Sequence, residues 1–273
     1  MTSLAFALVL VAAIVHAVWN LLAKRAGGGI AFVFLINALA TLIYTPLTFG
    51  VLLFKPPQIN LVTLIFIVGS GLIHIVYFLV LQRGYQVGDL SLVYPLARGT
   101  GPMLSASAAI GLLGERPTLT ALLGILLIGI GVFILTGAPR KLWRSHSRTA
   151  VGYGVLTGTL IAAYTLWDKY AVSQFWVSPI LLNYGCNLFE TLLLIPFALN
   201  QWHQVSQEWN SHRLEVLGTA LLSPLAYLLV LIAMVFTPVS HVAPIRELSI
   251  LVGTVLGARF LFSWRGETSA VCL

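Results

Sequence analysis

Runs of about twenty apolar residues, each long enough as a helix to cross a bilayer core roughly 30 Å thick, recur along the whole chain. Only short polar or Gly/Pro breaks separate them. They predict spans near 4–22, 30–54, 61–81, 90–113, 119–137, 151–171, 178–199, 214–236 and 241–262. Barrel strands would alternate in polarity at every second residue, and these runs do not, so helices are expected. Composition agrees: 59% of the 273 residues are hydrophobic and 8% charged, against roughly a quarter charged in soluble domains. The sequence therefore predicts an all-α integral membrane protein with about nine visible transmembrane helices, and excludes an ordinary soluble domain.

The first run is long, lacks a basic start and is followed by Lys24 and Arg25, which fits a retained helix better than a cleaved signal. The longest connections, near 138–150 and 200–213, are too short for an appended catalytic or receptor domain. Cys186 and Cys272 lie in an apolar segment and in the last residues, so no disulfide framework is expected. The net charge of +7 comes from basic residues scattered between apolar runs. That is topology charge, not a nucleic-acid surface. Assigned to alternate sides, Lys24, Arg25, Arg83, Arg140, Lys141, Arg144, Arg148 and Arg213 oppose Lys55, Arg116 and Lys169. The majority set reads as cytoplasmic, with the N-terminus outside.

The chain also repeats itself. Trp19–Asn20 and Lys24 match Tyr164–Thr165 and Lys169, 145 residues on. Tyr77 with Leu79–Val80–Leu81 matches Tyr227 with Leu229–Val230–Leu231, 150 residues on. Val93–Tyr94–Pro95 with Arg98 just after matches Val242–Ala243–Pro244 with Arg246 just after, offset by 149. A repeat unit with an odd number of helices enters the membrane in opposite senses, which is the inverted-repeat plan of many secondary transporters. The segments HAVWNLLAKR (16–25), GDLSLVYPLARGTGP (88–102), GER (114–116) and VAPIRELSILVGTVLGARFLF (242–262) resemble the EamA-like drug/metabolite transporter superfamily. The resemblance implies ten helices as two inverted five-helix repeats, moving small metabolites across the inner (plasma) membrane, with the N-terminus inside. It divides the chain into a first repeat over 1–138, a basic linker over 139–150 and a second repeat over 151–273. After Leu261–Phe262 the resemblance calls for another Gly-Glu-Arg turn and a last helix, whereas the chain reads Ser-Trp-Arg-Gly-Glu-Thr-Ser-Ala-Val-Cys-Leu. The second repeat is expected to be C-terminally incomplete through truncation or frameshift.

Ionisable groups inside spans cost several kcal/mol by insertion scales, so each is a functional candidate. Arg98, with Tyr94 one turn earlier, forms either a forked clamp for an anion or a buried ion pair with Glu190 or Glu247. Arg246 holds a comparable place in the second half, beside Glu247. Asn183, Asn187 and Glu190 make one polar stripe at i, i+4 and i+7. Glu190 is the candidate for proton coupling, the alternative being an interhelical hydrogen-bond stripe. His16, Trp19 and Asn20 share a face and, with Tyr77, are candidate substrate-cavity residues; His74 is a weaker candidate. Tyr164, Trp167 and Asp168 likewise share a face near the end of the sixth helix and could line the cavity. Trp167, Asp168 and Lys169 read more simply as the ordinary polar end of a helix near the membrane interface. Gly124, Gly129 and Gly131, and the pair Gly253 and Gly257, read as close-packing positions. Gly99-Thr-Gly-Pro102 is expected to interrupt the fourth helix and free carbonyls beside Arg98.

These features favour a secondary transporter of a small polar or anionic metabolite working by alternating access. Its partners are the solute and the lipid bilayer, with a homodimer possible and no nucleic acid. A truncated, inactive relative, a lipid-headgroup or phosphonate-type carrier, and a channel are the alternatives. No His-Glu-x-x-His or Walker-type loop occurs, so neither an intramembrane metalloprotease nor an ATP-driven pump is expected, and no cofactor or metal.

Overall fold

The computed structural model describes residues 1–26, 29–54, 56–57, 59–88, 90–135 and 145–252. The regular structure among them is helical: α1 (Ser3–Ala26), α2 (Ile30–Phe54), α3 (Leu61–Val87), α4 (Leu90–Leu112), α5 (Leu119–Leu135), α6 (Ser145–Ser173), α7 (Pro179–Asn200), α8 (Trp202–Ser211), α9 (Arg213–Phe236) and α10 (Val239–Arg246). Helices α1, α2, α3, α6, α7 and α9 are long and apolar enough to cross a membrane. Large apolar side chains such as Phe49, Phe54, Leu126 and Leu192 are exposed on the outside of the bundle, the surface a lipid-facing helix presents. The sequence places α4 among the spans as well. It is 23 residues long, but Arg98, Thr100 and Ser105 lower its apolarity. Arg98 and Ser105 are buried against other helices.

Local signals explain several boundaries. Asn60 caps α3, its Oδ1 accepting the Thr63 N–H at 2.9 Å, as a polar residue before a helix should. Gly114, in the turn after α4, takes φ +66°, a conformation that favours glycine. The residues 200–213, expected as a connection, contain the short α8, with Val205 buried and Trp202 exposed. Its apolar positions are too few for a hydropathy run, and its period shows only once one face has a neighbour.

Two further expectations are corrected. Helix α4 runs unbroken through Gly99–Pro102. The absence of a Cβ at Gly101 and at Gly158 lets α4 and α6 approach closely: a Cβ on Gly101 would lie 2.7 Å from Cγ2 of Ile161, and one on Gly158 would run into Thr100. Packing from α6 holds the helix together despite its prolines. The break falls instead in the ninth run, where α10 ends at Arg246, Glu247 forms a turn, and helix resumes over 248–252. Pro244 has no N–H to offer the preceding turn, and the Glu247 N–H bonds the Pro244 carbonyl at 3.1 Å. The Gly253 and Gly257 pair, Lys55, Arg140, Lys141, Arg144, Cys272 and the expected loss of a last helix lie outside the described residues.

Helices from the first half pack chiefly on helices from the second. Between the halves the most extensive interfaces are α4 with α6, α1 with α9, α3 with α6 and α2 with α7, followed by α3 with α7 and α2 with α9. Helix α10 packs on α4 and on α1. One apolar cluster joins Val9 of α1, Phe66 and Ile67 of α3, Val172 of α6, Leu182 of α7, and Leu231 and Met234 of α9.

Candidate functional site

The break after α10 brings the second-half charges against α4. Arg98 lies opposite Glu247, with Nη2 3.3 Å from Oε2, and donates to the Ser249 hydroxyl at 3.3 Å. The Nε of Arg246 lies 3.7 Å from the other oxygen of the same carboxylate. Arg98, Arg246, Glu247 and Ser249 are all buried. Two guanidinium groups thus share one carboxylate, leaving one excess positive charge. The separations are long for direct hydrogen bonds between charged groups, whose N–O distances run about 2.7–2.9 Å. Nε of Arg98, Nε and Nη2 of Arg246, and both oxygens of Glu247 have no hydrogen-bond partner among the described residues. Such a cluster has donor capacity unspent in the protein interior.

Tyr94, Tyr77 and Tyr164 lie within electrostatic reach of Arg98, and His16 within reach of both Arg98 and Arg246. The His16 ring meets Trp19 edge-on at 4.8 Å, and Asn20 donates to the His16 carbonyl at 2.7 Å. Asn20 therefore turns back on its own helix, while Nε1 of Trp19 is buried with no partner among the described residues. Beside them, His74 stacks on Tyr164 at 4.1 Å. Tyr164 also meets Tyr77 and Tyr227 edge-on at 5.9 and 6.1 Å. Tyr77 and Tyr227, which lie 150 residues apart in matching sequence contexts, thus flank one ring of α6. Apolar walls with a few fixed polar anchors are the composition of a small-solute site.

Glu190 is not part of this cluster. Its Oε2 accepts from the Asn37 amide at 2.8 Å, joining α7 to α2. Asn183 donates to the Pro224 carbonyl of α9 at 2.8 Å, and Asn187 to the Asn183 carbonyl at 2.7 Å. At all three positions the polar stripe makes hydrogen bonds within and between helices.

Asp168 is a residue the sequence ranks low, its place on a face with Tyr164 and Trp167 outweighed by its position near a helix end. Taken as an interfacial helix end, it has no exposed surface at all, and its Oδ2 accepts from the Tyr227 hydroxyl. Trp167 donates to the Phe66 carbonyl at 3.0 Å, and Lys169 to the Met234 and Thr237 carbonyls at 2.7 and 3.1 Å. All three side chains bond to neighbouring helices or their ends. The helical period held the signal: Ile161, Tyr164, Thr165, Asp168, Ala171 and Val172 repeat at three- and four-residue steps, and all are buried. The GER turn also has an unforeseen role, because the Glu115 carboxylate accepts the Val239 and Ser240 N–H groups at the start of α10 at 2.7 and 2.9 Å. Among the described residues no three His, Cys, Asp or Glu groups could hold a metal ion.

Residues 3–137 match the EamA-like transporter family. No curated protein matches the chain. One solved structure, described as the crystal structure of a protein, superposes with a TM-score of 0.71 at 13% identity. The match covers 96% of this chain and 91% of that one, which shows a shared fold.

Proposed function

Since residues 3–137 belong to the EamA-like transporter family, we propose that this membrane transporter carries a small anionic metabolite across the inner (plasma) membrane by alternating access. The observation that carries the reading is the buried pair Arg98 and Arg246 sharing the single carboxylate of Glu247. An entering carboxylate or phosphate would take the unspent guanidinium donors and balance the excess charge. Arg98 and Arg246 are the anion-binding groups, with Tyr94, Tyr77, His16 and Trp19 as walls and orienting donors.

An inverted repeat is supported by the way the interfaces exchange. At offsets of 145–150 residues, α1 corresponds to α6, α2 to α7, α3 to α9, and α4 to α10. Swapping halves turns the α1–α9 interface into α6–α3, α3–α7 into α9–α2, and α4–α6 into α10–α1, and every one of these pairs is in contact. Arg98 and Glu247 stand 149 residues apart, the offset of their own segment, and face each other. Equivalent residues meet in this way near a two-fold axis. A transporter site between inverted repeats belongs at that place, and rocking one half against the other would expose it to either side.

The test is uptake into proteoliposomes holding the purified protein, with inorganic phosphate, lactate and tetraethylammonium as labelled probes. At least one anion is expected to enter saturably and the cation not at all. Arg98→Ala should reduce anion uptake by about tenfold or more, the cost of removing one buried charged partner. Uptake of the cation in place of both anions, or unchanged anion uptake in Arg98→Ala, overturns the reading.

A further inference from the structure

We propose that Asp168 is the site of an exchangeable proton, carried through the transport cycle on a carboxyl group sealed between α3, α6, α7 and α9. The proposal rests on the transporter reading for its place in a cycle, but not for the proton site itself. Asp168 has no accessible surface, and the donors that reach its carboxylate are the Tyr227 and Ser70 hydroxyls. No described cation pairs with it: its neighbour Lys169 is turned away to the Met234 and Thr237 carbonyls. Arg98 and Arg246 are the cations flanking Glu247. An ionised carboxylate taken out of water with no counter-ion costs several kcal/mol even after relaxation, whereas a carboxylic acid costs only its hydrogen bonds. Hydroxyl neighbours on Tyr227 and Ser70, which can each donate or accept, suit a carboxyl group that gains and loses a proton.

The groups around it are specific. From α3 come Ser70, close to the carboxylate, and His74, whose Nδ1 lies 2.9 Å from the Ser70 carbonyl and 3.4 Å from its hydroxyl. Tyr227 comes from α9 and Tyr164 from α6, the latter joined to His74 by stacking. From α7, Cys186 and Glu190 lie within electrostatic reach of Asp168, while Arg246 of α10 reaches Tyr227 and His74. Arg98 of α4 reaches Tyr164. The line Asp168, Tyr227, Tyr164, Arg98 thus joins the acid to the arginine cluster through side chains in contact or in electrostatic reach. A proton on the acid and an anion on the arginines leave the buried site electrically balanced, which is the elementary requirement for moving them together.

Infrared difference spectra of the lipid-reconstituted protein, recorded through a pH titration, read this without any transported solute. The wild type should show, for Asp168, a buried carboxylic-acid carbonyl band that disappears as pH rises. The band should be absent in Asp168→Asn and retained in Glu190→Gln. Persistence of the band in Asp168→Asn, or its loss in Glu190→Gln alone, overturns the proposal, the latter assigning the proton to Glu190. Tyr227→Phe serves if Asp168→Asn does not assemble. It keeps the acid but removes one of its donors, so the band should shift in frequency and midpoint, and an unmoved band overturns the assignment. Because no solute is involved, a failed anion-uptake experiment leaves this result standing, and the converse also holds.

Discussion

Replacing Glu115 with alanine is expected to loosen the start of α10 by about 2 kcal/mol. A helix leaves its first four N–H groups without intrahelical partners. In α10 those of His241 and Val242 reach the Pro238 carbonyl at 3.1 and 3.2 Å. Those of Val239 and Ser240 reach the two carboxylate oxygens of Glu115 at 2.7 and 2.9 Å. Val239 and Ser240 are buried, so water is a poor substitute. Loss of a capping side chain costs about 0.5–2 kcal/mol, and a hydrogen bond to a charged group is worth roughly 1.5–3. Glu115 is partly exposed, which places the sum toward the low end of that range. Glutamine keeps one acceptor but loses the charge that favours a helix N-terminus, so about 1 kcal/mol is expected for Glu115→Gln. At about 1.4 kcal/mol per tenfold, the alanine variant should open this turn roughly 30-fold more often, and the glutamine variant about fivefold. Hydrogen exchange of the peptide spanning 237–243, followed by mass spectrometry in detergent, measures that ratio. Unchanged exchange in the alanine variant would refute the capping argument, as would a glutamine variant more labile than alanine.

Gly101→Val should cost about 1–3 kcal/mol by overpacking the α4–α6 contact. Gly111→Ala, where a Cβ meets nothing within 4 Å, should be neutral or slightly stabilising; thermal unfolding in detergent compares the two. Glu247→Gln strands two buried arginines and should cost about 3 kcal/mol or more. The double variant Arg98→Gln with Glu247→Gln should recover much of that stability without recovering anion uptake. Lys169→Met removes two bonds to the end of α9 and should lower the unfolding temperature modestly, worth about 1–2 kcal/mol.

Much of the architecture was legible because a bilayer imposes one rule on every span, and an apolar run of the right length satisfies it visibly. The family resemblance and the near-constant offset came from the same source, since short polar motifs stand out against an apolar background. What hydropathy cannot show is which side of a span meets protein. Asp168 therefore reads first as a helix end and only second as part of a face with Tyr164, although its spacing to Tyr164 and Ile161 marks one buried face. The helix break was placed at Gly99–Pro102 on residue type alone. Its true position at Glu247 depends on what lies alongside, with α6 packing closely on α4 while α10 is only eight residues long. Arg98 and Glu247 were each singled out, and their pairing was one of two offered. A distance between helices had to choose it, as it had to separate Glu190 from the arginines and attach it to Asn37.

The most direct measurement is counterflow. Proteoliposomes are loaded with an unlabelled anion that the protein takes up and then exposed to a trace of the labelled form. A carrier whose buried arginines face one side at a time should accumulate label transiently above equilibrium, saturate with concentration, and lose both behaviours in Arg98→Ala. Flux that rises without saturation, shows no transient overshoot and is indifferent to Arg98 would contradict a carrier built around this cluster.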